Sequence, residues 1–282
     1  MNNDLLAKHA KSFHWASFFL SKETYKKCSS LYNFCRTLDD IADDNKDLEF
    51  KKKKFLEFKK NFSDKNLNNP IIKNMWDLLK TDNISENIVN DLFDGVEGDL
   101  ENSIKINSQK DLLIYSYRVA GTVGLMMSKI LKVNDKESLK GAIDLGIAMQ
   151  LTNIARDVVE DKKRNREYIG FNFSAIKETI NTSELFYQKS FPSIKAIPLS
   201  SRFSVIVARR VYRKIGDYIL KQKNIENYSK VGKIYVPVFG KIVETILSIV
   251  DFLKLLFPKD KNYSDNHAYE IIKEKINLDE RI

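Results

Sequence analysis

Two acidic motifs lie far apart in the chain: Asp39-Asp40-Ile41-Ala42-Asp43, preceded by Arg36, and Asp157-Val158-Val159-Glu160-Asp161, preceded by Arg156. Residues four apart on a helix stack about 6 Å from each other, so Asp39 with Asp43, and Asp157 with Asp161, repel unless a cation lies between them. Carboxylate oxygens without His or Cys beside them select a hard ion such as Mg2+, for which Mn2+ can substitute. Such an ion keeps waters and takes substrate phosphates as further ligands. Two pairs of this kind predict a diphosphate held between two helices. An isolated D-x-x-x-D is ordinarily a solvated helix face, and Asp40, Asp44 and Asp47 fit that reading. The two pairs differ from it in their apolar company: Leu31, Phe34, Cys35, Leu38 and Ile41 around the first, Ile147, Met149, Leu151, Ile154 and Val158 around the second. That company turns the carboxylates toward an interior cleft.

Long helices must carry these residues. Of 282 residues 43% are hydrophobic, enough for a substantial core, and 11% are aromatic, enough to line an apolar cavity. Prolines stand only at 70, 192, 198, 237 and 258, and apolar residues recur at three and four rather than two, so the expected class is all-α. One helix should run from about Lys22 through the first pair, and a polar, lysine-rich stretch follows it. Asn61 to Asn69 reads as a loop, with Pro70 starting a helix that holds Trp76. Another helix should follow Ser85 to about Leu100. Gly121 and Gly124, in the run Tyr115 to Met127, permit close helix contact or a kink. The second pair belongs to a helix from Leu139 to about Lys163, with Asn165 to Phe173 as a loop and Ser190 to Ser200 as a break. No Gly/Ser linker and no internal repeat divides the chain, so one domain is expected over 1–282, with 242–282 as an extension of unassigned role.

Cys28 and Cys35 match neither a zinc spacing nor a disulfide framework and read as buried small hydrophobes. Met1-Asn2-Asn3-Asp4 lacks a basic region followed by an apolar core, so a cytoplasmic protein is expected, with peripheral attachment at the inner membrane surface in view. The net charge of +9 fits nucleic acid, an anionic lipid surface or an anionic substrate. No recognition motif supports nucleic acid, and none is expected as a partner. Ile242 to Phe257 is mostly apolar but carries Glu244, Asp251 and Lys254, too short and too charged to span a bilayer. It reads either as a core helix or as a segment lying on a membrane.

Four blocks in order resemble the squalene and phytoene synthases: His9 to Phe13, Tyr32 to Asp43, Tyr117 to Met127, and Ala148 to Asp161. The similarity runs to about Tyr218, and among the branches it leans toward the bacterial phytoene synthases. The resemblance implies a single-domain isoprenoid synthase fold, helices around a central cavity, and head-to-head condensation of two prenyl diphosphates. It also implies that Asp39, Asp43, Asp157 and Asp161 coordinate Mg2+, with Asn153 as an additional ligand, and that Arg36 and Arg156 grip diphosphate oxygens. His9, Lys11, Ser12, Tyr32, Gln150 and Tyr212 would be cavity-mouth positions, with Tyr32 counted among the catalytic groups. Phe13, Trp15, Tyr32 and Tyr212 are candidates to shield cationic intermediates.

Three departures stand out. Ala10 replaces a common Ser, Gly170 a common Pro, and Lys233 falls where an Arg is usual, which puts diphosphate contacts from the C-terminal end in doubt. The expected reaction is two geranylgeranyl diphosphates to phytoene by way of a cyclopropylcarbinyl diphosphate. Alternatives are squalene or dehydrosqualene from farnesyl diphosphate, and a non-catalytic assembly factor, against which the retained aspartates and arginines argue. Ser17, one turn beyond Phe13, is small where a bulky residue would shorten the tunnel, favouring the longer substrate.

Overall fold

The computed structural model describes residues 6, 8, 10–257 and 267–282. The helices are α1 (Lys11–Ser17), α2 (Lys22–Ala42), α3 (Leu48–Ser63), α4 (Pro70–Thr81), α5 (Glu86–Glu97), α6 (Gln109–Ser116), α7 (Thr122–Ile130), α8 (Lys136–Lys163), α9 (Phe173–Ser190), α10 (Leu199–Leu220), α11 (Ile225–Val231), α12 (Val238–Leu256) and α13 (His267–Lys273). Local chemistry starts most of them. Ser21, Asp47, Asn69, Ser85, Ser108, Asp135, Asn172 and Asn224 each accept a backbone N–H from the following turn, satisfying donors that a helix start leaves free. The lysine-rich stretch after the first acidic pair is helical because Phe55, Phe58 and Phe62 recur along one side and are buried. Phe34 meets Phe58, Phe62 and Phe93 at ring separations of 5.6, 5.5 and 5.9 Å. With Leu31 and Leu38, also fully buried, this contact fixes the rotation of α2 and so the direction in which its acidic end points.

The other wall is built on α8, whose 28 residues span about 42 Å at the helical rise. It is covered by α7, α9, α10 and the π-helical turn Tyr117–Gly121 that joins α6 to α7. Gly124 and Gly146 let the two backbones touch: a Cβ on Gly124 would stand 2.3 Å from the Ala142 carbonyl oxygen, and one on Gly146 2.3 Å from that of Ala120. The close contact read from the glycines is present. The kink takes the form of an added residue in the turn, as π-bulges do.

Two short segments complete the frame. Ile104–Lys105 (β1) pairs in parallel with Arg166–Glu167 (β2), in register Ile104 with Arg166, tying the loop after α5 to the loop after α8. Ile272, Ile276 and Leu278 are buried in the main core. Arg281 clamps Asp91 from Nε and Nη2, both at 3.0 Å, and Tyr117 donates to the same carboxylate at 3.0 Å. Residues 267–282 therefore pack within the same body of the protein. Among the described residues no helix is long and apolar enough to cross a membrane.

Candidate active site

The first acidic pair sits where α2 ends. Asp43 is the residue just past the helix, its N–H still donating to the Asp39 carbonyl, so the predicted helix stops one residue short of the pair's second member. Its carboxylate is held by Arg164 at 2.6 Å and Arg166 at 2.8 Å, both delivered by the segment after α8. Arg166 is half-buried and also donates toward the carbonyls of Ala42 and Asp99, each at 3.4 Å. Asp99, beyond α5, accepts from Tyr168 at 2.7 Å and Tyr115 at 3.0 Å, and those two rings stack 4.8 Å apart. The Asp99 carboxyl is raised, first by burial and then by Asp43, with Arg166 and the two phenols opposing. Asp39 itself is exposed at the end of α2, not enclosed in an interior cleft as expected, although protein atoms crowd around it. Lost hydration pushes its carboxyl up to about 7, and among its neighbours Arg36 opposes while Asp43, Asp99 and Asp40 reinforce the rise.

The second pair lies in the body of α8. Burial works against the charged form of Asp157, but Arg156 and Lys233 overcome it and hold the carboxyl below its ordinary range. Arg156 grips it as a fork, Nε at 2.8 Å and Nη2 at 2.6 Å, and Lys233 lies at 3.2 Å. Asp161 is pushed up to about 7 by burial and by Asp157, with Asp99 adding to the rise and Arg166 and Arg164 opposing it. A water-sized cavity of about 20 Å3 lies against Asp161, Arg166 and Tyr168. Helices α2 and α8 share almost no direct packing, so the acidic motifs meet through Arg166 and Asp99. Asn153, one turn before Asp157, has a buried Oδ1 with no hydrogen-bond partner among the described residues. Tyr212 lies beside Asn153 and Arg156, its phenol raised first by burial, and it packs 4.8 Å from Phe13. Tyr32 feels Arg36, Asp39 and Tyr212 and is pushed up to about 12, chiefly by burial, so it stays a neutral phenol between the two walls.

Not every predicted position joins this cluster. Arg36 pairs with Asp40 at 2.5 Å, so Asp40 is a partner and more than a solvated residue, while the Arg36 Nε is buried without a partner among the described residues. Lys11 is exposed, its carbonyl accepting from Lys241 at 3.3 Å. Ser12 and Gln150 are half-buried outside the hydrogen-bonded cluster. Ser17 is buried and returns its hydroxyl to the His14 carbonyl at 2.7 Å. His9 lies outside the described residues. Conversely Asp99, Arg164, Arg166, Tyr115 and Tyr168 belong to the site although their spacing carries no motif. Arg164 and Arg166 stand in a basic cluster of the sequence, and Lys233, read as falling where an Arg is usual, contacts Asp157.

Among the described residues no three His, Cys, Asp or Glu side chains converge on one point. A bound ion would therefore need waters and phosphate oxygens to complete its shell, which is the habit of Mg2+ and not of zinc. The buried, unpartnered Asn153 oxygen one turn before Asp157 would offer such an ion a further hard ligand, so the residues present fit it.

Comparison with known proteins agrees with this geometry. The model of the squalene/phytoene synthase family matches residues 6–170. The chain is 30% identical over 246 residues to the 15-cis-phytoene synthase of Enterobacter agglomerans, covering 73% of this chain and 81% of that one. It is 28% identical over 257 residues to the 15-cis-phytoene synthase of Pantoea ananas, covering 77% and 83%. A crystal structure of a dehydrosqualene synthase in complex with ligand superposes with a TM-score of 0.74 at 26% identity, over 89% of this chain and 94% of that one. The all-helical architecture is the isoprenoid synthase fold, and the chain belongs to the squalene/phytoene synthase family of prenyltransferases.

Proposed function

We propose that the protein joins two molecules of geranylgeranyl diphosphate head to head into phytoene, through a cyclopropylcarbinyl diphosphate, with release of diphosphate. The observation that carries this reading is the pairing of the two acidic motifs, each already matched by cations that suit a diphosphate. Asp39, Asp43, Asp157, Asp161 and the Asn153 amide oxygen would hold Mg2+, which supplies positive charge to the departing diphosphate. On binding, Arg36, Arg156, Arg166 and Lys233 would turn from carboxylates to phosphate oxygens, freeing the carboxylates that would hold the ion. Tyr32 and Tyr212 remain neutral and, with Phe13, present ring faces to the allylic cation without attacking it. The second substrate's double bond captures that cation and a proton is lost as the cyclopropane closes; the intermediate then releases the second diphosphate, rearranges and loses a second proton. An apolar hydrocarbon product calls for work at a membrane surface, to which the net positive charge is suited.

The relatives named phytoene synthase favour geranylgeranyl diphosphate. A second reading, dehydrosqualene from farnesyl diphosphate, is favoured by the fit to a dehydrosqualene synthase structure. Purified protein incubated with Mg2+ and each prenyl diphosphate, with the product identified by mass, separates them. Phytoene from geranylgeranyl diphosphate supports the first reading, and hydrocarbon from farnesyl diphosphate alone replaces it with the second. If Ser17 helps set chain length, Ser17→Phe shifts preference toward farnesyl diphosphate.

A further inference from the structure

Helix α12 is amphipathic the wrong way round. Of its four charged side chains, Lys241, Glu244 and Asp251 are buried against the protein and only Lys254 faces out. Every other exposed position on the helix is apolar. Phe239 is 77% exposed and Ile246 60%, and Phe257 just past the helix is 83% exposed. The helix cannot roll to hide this face, because its inward polar groups are committed. Arg210 on α10 binds Glu244 at 2.9 Å and Asp251 at 2.6 Å, and Trp15 on α1 donates to Thr245 at 2.9 Å. Turning α12 would strand two buried carboxylates.

The apolar face continues sideways. Trp15 meets Phe18 at 6.4 Å, and Phe19 meets Phe203, which meets Phe252 of α12 at 6.0 Å. Phe18 and Phe19, at the end of α1, are both exposed. Beside α12 lies a cavity of about 250 Å3 lined by Phe191, Arg209, Arg210, Arg213, Asp251 and Lys254. Arg210 pairs with Glu244 and Asp251, Arg213 with Glu184 and Lys254 with Asp251, so four cations meet three carboxylates and a positive charge is left over. Arg209 is buried, and its guanidinium donates to the Tyr187 carbonyl at 3.1 and 2.7 Å. An apolar strip with a cationic edge matches acyl chains beneath anionic headgroups. Self-association would instead bring that edge toward a second copy carrying net charge +9.

We propose that the outer face of α12, continued by Phe18 and Phe19, seats in the acyl region of an anionic bilayer, with lipid phosphates received by the cationic cavity along its edge. The inference rests on the membrane placement proposed above and names the face that makes it.

The test is flotation of the full chain with vesicles of phosphatidylcholine alone or mixed with phosphatidylglycerol. Ile246→Glu combined with Leu253→Glu addresses the apolar strip, and Lys254→Ala the cationic edge. All substituted residues are exposed, circular dichroism checks folding, and turnover in detergent should be unchanged. The wild type should float with the mixed vesicles. The double glutamate variant should lose at least about tenfold in binding, and Lys254→Ala about fivefold on anionic vesicles only. Wild type that floats while the double variant floats equally overturns the assignment of this face and leaves membrane placement standing. Wild type that never floats overturns both. A wild-type dimer that the double variant dissociates, without vesicle binding, gives the face to a second copy.

Discussion

The first acidic pair ends a helix and the second lies within one, and their charges are compensated from different distances. Asp43 takes its cations from Arg164 and Arg166, far along the chain; Asp157 takes one from its neighbour Arg156 and the other from Lys233. In each motif one carboxylate is thus clamped, and the other, Asp39 or Asp161, has its carboxyl pushed up to about 7, first by loss of hydration and then by neighbouring carboxylates. The difference teaches that a repeated D-x-x-x-D need not be repeated as structure. What recurs is one ion-paired acid beside one with a raised carboxyl, an arrangement that the proposed Mg2+ and diphosphate would complete.

The largest expected effect breaks both halves alike. Asp39→Ala and Asp157→Ala should each lower turnover by roughly a hundredfold or more, since several kcal/mol of charge stabilisation is removed. A folded Asp157→Ala protein with near-normal rates in a steady-state assay would sink the assignment of the second motif.

The clamp itself comes next. Arg166→Leu leaves Asp43 and Asp99 short of a half-buried partner and should cost about 1–3 kcal/mol in denaturant unfolding. Arg164→Leu, at a side chain half exposed to solvent, should cost under about 1 kcal/mol. Equal losses would mean that the two arginines share the load. Gly146→Ala tests the mount of the second pair: overpacking against Ala120 should cost about 1–3 kcal/mol by thermal or denaturant unfolding, whereas no change would show that the helix contact yields.

The smallest effect concerns pH. Because the folded values of Asp39 and Asp161 lie above an ordinary carboxylate, the metal-free native state holds more protons than the unfolded chain between about pH 4 and pH 7. These two groups therefore lower stability as pH rises through that window. Asp157 has the opposite sign: its contribution is present above the ordinary carboxylate range and is lost as pH falls through its lowered value. Mg2+ should bind more tightly as Asp39 and Asp161 deprotonate, so the melting-temperature gain on adding it should widen from acid pH toward pH 8 and then level off. A gain independent of pH in a thermal-shift series would separate the raised carboxyls from the ion.

The helix expected from Leu139 starts at Lys136, capped by Asp135, whereas the helix start after Ser85 was legible because a capping side chain reaches a backbone only two or three residues away. Both acidic pairs were legible for the same reason, since a four-residue spacing fixes which side chains share a face. The helix α3 was missed because its lysines mask a buried phenylalanine stripe. For Ile242 to Phe257 composition left two readings, and burial of its polar side bears out the packed one: the helix packs on α10 while presenting apolar residues outward.

Sequence alone thus determined the all-helical class and the spacing of the two acidic pairs, both products of interactions within a turn or so of helix. Tertiary structure alone decided that Arg166 reaches Asp43, that Asp99 stands between the motifs with Tyr115 and Tyr168, and that α12 turns its charges inward. Those outcomes depend on the two-residue pairing of β1 with β2, on the glycine contact between α7 and α8, and on Arg210 bridging two carboxylates. Each joins segments far apart in the chain, where no periodicity links one partner to the other and only the packed geometry brings them within hydrogen-bond reach.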